Sequence, residues 1–220
     1  MAGNSRENII GKIRKALGEN QLPMPFPEAD KAGNFFVNEK ISPEEKFAVE
    51  FSKLGGKFVY CADEQEMFQH LEALCDTMKW TKIHTKDTFL LSLFQENEIS
   101  IVQQGNDMSD IQVGLSLCES LVARTGSVLL SAAQESGRAL PVYAPVHITI
   151  AFANQLHWDI ADAFQVMKEK YNMQLPSMIS LTTGPSRTAD IEKTLVVGVH
   201  GPKEVYVFFV DKNWKKEVSN

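Results

Sequence analysis

From Ser42 onward the chain repeats one pattern: a short apolar, β-branched run, then a stretch with its apolar residues at helical spacing, then another short run. "SPEEKFAVEFSKLGG" has a serine cap, a proline at the first helical position, acids in the first turn and a Gly-Gly stop, so it predicts a helix. "KFVYC" predicts a strand, and Asp63 caps a second helix, "EQEMFQHLEALCDTM", with Met67, Phe68, Leu71, Leu74 and Cys75 on one face. "TKIHT", a helical "KDTFLLSLFQE" and "ISIVQQ" continue the alternation. Helices of this length between strands serve as crossovers, so the expected fold class is α/β, a mostly parallel sheet with helices on both faces.

The second half is read in the same way. "DIQVGLSL" is an apolar segment, "CESLVA" is read as a short helix-like piece, Thr125-Gly126-Ser127 as a turn and "VLLSA" as a strand. "VHITIAF" is a strand and "DIADAFQVMKEKY" a helix capped by Asp159. "MISLTT" is a strand that breaks at Gly184-Pro185 and is expected to re-enter as a helix over "ADIE". Two β-rich runs flank His200-Gly201-Pro202, predicting a hairpin or a tight turn between strands.

In front of this domain, Ser5 to Leu17 places Ile9, Ile10, Ile13 and Leu17 on one helical face, closed by Gly18. "QLPMPFPEADKAGN" follows, with prolines at 23, 25 and 27, and is expected to be an extended linker or arm. The division is therefore residues 1–40, a helix and Pro-rich arm, and residues 41–220, the α/β domain.

Charge and cysteine usage exclude some functions. A net charge of −6 argues against a protein that works by neutralising nucleic-acid phosphates. The N-terminus lacks an apolar leader and the chain lacks a long apolar span, so a cytoplasmic location without a membrane span is expected. Cys61, Cys75 and Cys118 are widely spaced, without C-x-x-C, and are expected as buried hydrophobes rather than as a disulfide, zinc or iron–sulfur set. No metal site is expected, because the histidines show no ligand spacing.

Two segments carry the chemistry. Around the end of "MISLTT", Thr183, Gly184, Pro185, Ser186, Arg187 and Thr188 could hold a carboxylate or phosphate through backbone N–H groups at a helix start, two hydroxyls and a guanidinium. The alternative is a plain helix cap. Thr125, Gly126 and Ser127 could approach the same anion, or form a turn that simply needs its glycine. His200, in a Gly-flanked turn, and Glu119, near small-residue turns, are the candidate acid–base groups; a structural histidine and a solvated face are the alternatives.

Taken together, "ARTGSVLL", "TTGPSRTADIE" and "VVGVHGPKEVYVFFVD", in this order, resemble the lactate-utilisation protein C family, the LUD domain. The resemblance implies a fold like that of the CoA-transferase, ribose-phosphate isomerase and glucosamine-phosphate deaminase group. It also implies work beside an iron–sulfur subunit and a second LUD-type subunit in oxidising lactate to pyruvate, with the cluster held by the partner and no cofactor in this chain. The family often carries an acid before its Thr-Gly-Thr, where Arg124 stands here. The expected function is an accessory or regulatory subunit binding a small anionic metabolite. The alternative is a free-standing enzyme of the CoA-transferase-like class acting on a phosphorylated or CoA-linked substrate. Self-association is left open.

Overall fold

The computed structural model describes residues 5–19, 40–104, 111–191 and 194–213, in two units divided between Lys40 and Ile41. The first unit contains helix α1 (Ser5–Glu19), whose Ile9 and Ile13 are exposed. The Pro-rich arm lies outside the described residues.

In the second unit six strands form one all-parallel sheet: β1 (Lys57–Cys61), β2 (Ile83–Thr85), β3 (Val102–Gln104), β4 (Val113–Leu117), β7 (Val146–Phe152) and β12 (Glu204–Val210). Their order is β1-β12-β7-β4-β2-β3, each pair parallel. Helices α2 (Pro43–Lys53) and α3 (Glu64–Met78) start at the expected caps Ser42 and Asp63, α2 ends before Gly55-Gly56, and α4 (Thr88–Glu96) falls within the helical stretch "KDTFLLSLFQE". Ser42 accepts from the Glu45 amide, Asp63 from Glu66 and Asp87 from Leu90, each satisfying an orphan donor of a first turn.

Central strands of such a sheet are buried on both faces, and β12 shows how. Tyr206, Phe208 and Val210 join Met67, Phe68, Leu71 and Phe94 of α3 and α4 in one core. Val205, Val207 and Phe209 join Phe47 and Phe51 of α2 in another. Period-two alternation with buried aromatic and aliphatic side chains at every position from Val205 to Val210 leaves this stretch no solvent face.

That second face is covered by something the strand–helix alternation did not foretell: a four-stranded, largely antiparallel sheet, β8-β5-β6-β9. It consists of β5 (Ser120–Val122), β6 (Ser127–Ser131), β8 (Leu156–His157) and β9 (Ile179–Thr182). "CESLVA" is therefore not helical. It contains β5 and runs into a 3-10 turn at Ala123–Thr125, because Leu121 is drawn onto the core of α2 and β12 while Val122 turns to Leu129, Ala163 and Met167. Short apolar runs do not by themselves distinguish strand from helix. Helix α5 (Leu140–Tyr143) covers Gly114 of β4, and α6 (Ile160–Lys170), capped by Asp159, packs behind β5 and β6.

The expected helix over "ADIE" is absent. Residues from Arg187 form β10 (Arg187–Ile191), antiparallel to β11 (Thr194–Val197), with Arg187 opposite Val197 and Thr188 opposite Val196; Glu192 lies outside the described residues. The β-branched run "TLVV" gives the segment a strand partner within a few residues, and hairpin pairing outweighs a short helix with little apolar face. The two β-rich runs around His200 do not pair with each other: β11 belongs to this hairpin and β12 to the parallel sheet.

Candidate functional site

Because a strand and not a helix follows Gly184, the loop 183–188 offers an anion no helix N-terminus. The loop is instead bound to two neighbours. The Ser186 amide donates to the Pro202 carbonyl at 2.9 Å, and the Gly198 amide donates to the Ser186 carbonyl at 2.9 Å, so the loop rides on the turn 198–203. On its other side Gly184 is buried against the Leu54 carbonyl, and Arg187 donates from Nη2 to that same carbonyl. Leu54 is the C-cap of α2, where carbonyls lack intrahelical partners and the dipole favours a cation. Arg187 is thus a helix-end brace, and its remaining donors are what it has for any anion.

The structure brings Thr125, Ser127 and Thr183 together by their own hydroxyls. Ser127 Oγ donates to Thr125 Oγ1 at 2.8 Å and lies 2.6 Å from Thr183 Oγ1. Gly126, at φ +61°, is pressed on α2 so closely that a Cβ there would stand 2.3 Å from the Phe51 amide nitrogen. This turn is a packing joint. Arg124, next to it, forks onto Asp159, with Nε at 2.6 Å and Nη2 at 3.4 Å, and that bond holds the Asp159 carboxyl below its usual range.

His200 lies on an open hollow of about 320 Å³ lined by Val142, Tyr143, Pro145, Gly198, Val199, His200, Gly201 and Lys203. Gly198 makes it possible: a Cβ there would meet the Lys203 side chain at 2.1 Å, so only a glycine lets the lysine stem cross. Lys203 and His200 are the lining groups that carry a basic side-chain nitrogen, and no carboxylate is among the lining residues. The neighbouring Glu204 is engaged elsewhere, with Lys57 at 2.5 Å and Tyr206 at 2.8 Å. Val142 and Val199 form exposed apolar walls, and Tyr143, also in the lining, is 70% exposed. The hollow sits at the amino ends of β7 and β12, and the Ser186–Pro202 bond joins it to the loop 183–188.

Glu119 is at the opposite end of the parallel sheet, just past β4, so it and His200 do not share a site. Its carboxylate accepts from Ser131 Oγ at 2.6 Å, Lys170 Nζ at 2.6 Å and Tyr171 OH at 2.7 Å. Burial alone would lower the Lys170 pKa, but the Glu119 hydrogen bond and charge, with Tyr171, carry it above its ordinary value. Burial and then the Glu119 bond push the Tyr171 phenol up as well. Cys118 beside it is buried, which raises its thiol pKa far from a reactive range. His147, on β7, is buried with Nε2 2.9 Å from Ser116 Oγ. Among the described residues no three His, Cys, Asp or Glu side chains gather as a metal set, and no helix is long and apolar enough to cross a membrane.

Sequence reasoning missed Lys203, Tyr143, Lys170 and Tyr171. A glycine five positions before a lysine is the one local sign of the Lys203 hollow, and it is too common to single out. Lys170 and Tyr171 read as the unremarkable end of a helix, and only the tertiary fold sets them on Glu119.

The LUD domain family matches residues 44–210. An uncharacterized protein of Neisseria meningitidis serogroup B is 31% identical, over 94% of each chain. Lactate utilization protein C of Bacillus licheniformis is 31% identical over 62% of this chain and 55% of its own, and that of Macrococcus caseolyticus 37% over 46% and 45%, so the chain spans about half the length of these relatives. A DUF162 family protein from Deinococcus radiodurans, at 15% identity, superposes with a TM-score of 0.56 over 77% of this chain and 99% of its own, which supports the α/β fold. On the strength of the family match over most of its α/β unit, this chain belongs to the LUD domain family.

Proposed function

We propose that this chain is an accessory or regulatory subunit of an iron–sulfur lactate oxidation system, turning lactate into pyruvate, and that it binds a small anionic metabolite in the hollow at 198–203. Relatives carrying the name lactate utilization protein C support the pathway. One observation carries the site: a metabolite-sized hollow lined by the basic side chains of Lys203 and His200 and by no carboxylate. An ammonium offers up to three donors to a carboxylate, an imidazole offers another, and the apolar walls reduce the water that competes for them. The loop 183–188 fixes the turn from behind, and a partner subunit holds the cluster. The proposed setting is the cytoplasm, with no nucleic acid involved.

The test has two arms. Lactate and pyruvate, added to the purified chain, raise its melting temperature by mass action, and Lys203→Met abolishes the shift. Tagged chain recovered from its own cells brings an iron–sulfur protein and a second LUD-type protein with it. Absence of both effects overturns the reading.

Glu119 supports a second reading, a free-standing CoA-transferase-like enzyme. Glu119 lies just past the carboxyl end of β4, the strand that neighbours β2 where the chain order reverses, and open α/β sheets commonly bind ligands at such a point. Turnover of a CoA-linked or phosphorylated substrate by the isolated chain, lost in Glu119→Gln with the fold intact, favours that reading over the first.

A further inference from the structure

The hollow at 198–203 is large for lactate or pyruvate. At no more than roughly 30 Å³ for each, the volume share of a water molecule, their handful of non-hydrogen atoms leaves much of its approximately 320 Å³ unfilled. A single methyl group also leaves three apolar surfaces uncovered: Val142, Val199 and the ring of Tyr143. Exposed aromatic and branched side chains gathered around a cationic hollow mark a binding surface rather than a random scatter.

Resting on the reading that this hollow binds an anion, we infer that its ligand is an anion carrying a flat unsaturated ring. Tyr143 ends α5, and its 70% exposure leaves a ring face open for offset stacking. Val142 and Val199 offer apolar edges to such a ring. Lys203, laid over Gly198, and His200 take the anionic group. Two sources supply this chemistry, an aromatic 2-oxo acid and a nucleotide.

The experiment is a titration of the full chain, followed by calorimetry and thermal shift, with phenylpyruvate, AMP, pyruvate and inorganic phosphate in parallel. Phenylpyruvate or AMP binds at least tenfold more tightly than pyruvate or phosphate, and whichever of them binds identifies the source. Tyr143→Ala removes that advantage while Tyr143→Phe keeps it, and Lys203→Met weakens all four. If pyruvate binds as tightly as phenylpyruvate and Tyr143→Ala changes nothing, the ring is refuted while the anion hollow stands. If none of the four binds, both readings fall. Circular dichroism and melting of each variant separate a lost fold from a lost contact.

Discussion

Glu119 and Lys170 meet at 2.6 Å with very unequal exposure: the glutamate side chain is 1% exposed, the lysine 41%. The carboxylate is the buried member, and three donors from β6 and from the end of α6 converge on it. It ties the β4–β5 junction to α6. Glu119→Ala leaves the buried Ser131 hydroxyl and the partly buried Lys170 and Tyr171 without their acceptor, and is expected to cost about 3 kcal/mol. Denaturant unfolding measures it. Glu119→Gln, which keeps the shape and accepts fewer of these bonds, falls between the wild type and alanine. An unchanged midpoint in both variants refutes the tie.

His147 makes stability depend on pH. Burial holds its pKa down at about 4, against an ordinary value of 6.5. Between those values the unfolded chain carries a proton that the folded chain does not, so stability falls as pH drops from 6.5 towards 4 and is level with respect to this group above 6.5. Between pH 7.5 and pH 5 the loss from this residue is on the order of 2 kcal/mol. His147→Gln keeps a polar partner for Ser116 and removes the titration. Its stability therefore declines less steeply over the same range, and parallel curves for the two proteins count against the assignment.

The helices α2, α3 and α6 were legible because their caps and apolar stripes are local signals, satisfied within a few residues. The antiparallel layer was not, because β5 and β8 are only three and two residues long and exist through pairing with distant partners. The expected helix over "ADIE" gives way for the same reason: a strand partner, β11, settles the conformation of residues 187–191, and a Gly-Pro break is equally at home before either element. Of the candidate site, the link from 183 to the turn 125–127 was anticipated as a pairing around an anion. The structure makes that link from hydroxyls bonded to one another. Glu119 and His200 both stand beside small-residue turns, and nothing local tells that those turns belong to opposite ends of the sheet.

Gly126 is the position where the family-like motif meets the packing of α2. It combines φ +61° with a backbone approach that would put a Cβ 2.3 Å from the Phe51 nitrogen and 2.6 Å from the Glu50 carbonyl carbon. Neither atom belongs to a flexible side chain, so relief requires moving the helix. Gly126→Ala is expected to cost more than about 2 kcal/mol and to lower the melting temperature by at least several degrees. Ser127→Ala, which removes the hydroxyl bridge and leaves the backbone alone, costs about 1 kcal/mol. If the two variants melt together, the close contact with α2 is not what the glycine serves.

Arg187 separates a brace from a ligand group. Its guanidinium donates to the Leu54 carbonyl at the end of α2, where a positive charge also meets the negative end of the helix dipole. Losing one charge-assisted bond at an exposed helix end costs about 1 kcal/mol, which for a domain of this size lowers the melting temperature by roughly 2–4 °C. Arg187→Ala is expected to show that loss whether or not an anion is present. Arg187→Lys recovers part of it, because an ammonium can still meet the carbonyl and the dipole. Lys203→Met, by contrast, leaves the melting temperature of the free chain nearly unchanged and removes the stabilisation that a bound anion adds. Melting curves of the three variants with and without pyruvate decide the matter. If Arg187→Ala melts like the wild type alone but no longer responds to the anion, the guanidinium belongs to the ligand and the brace is wrong.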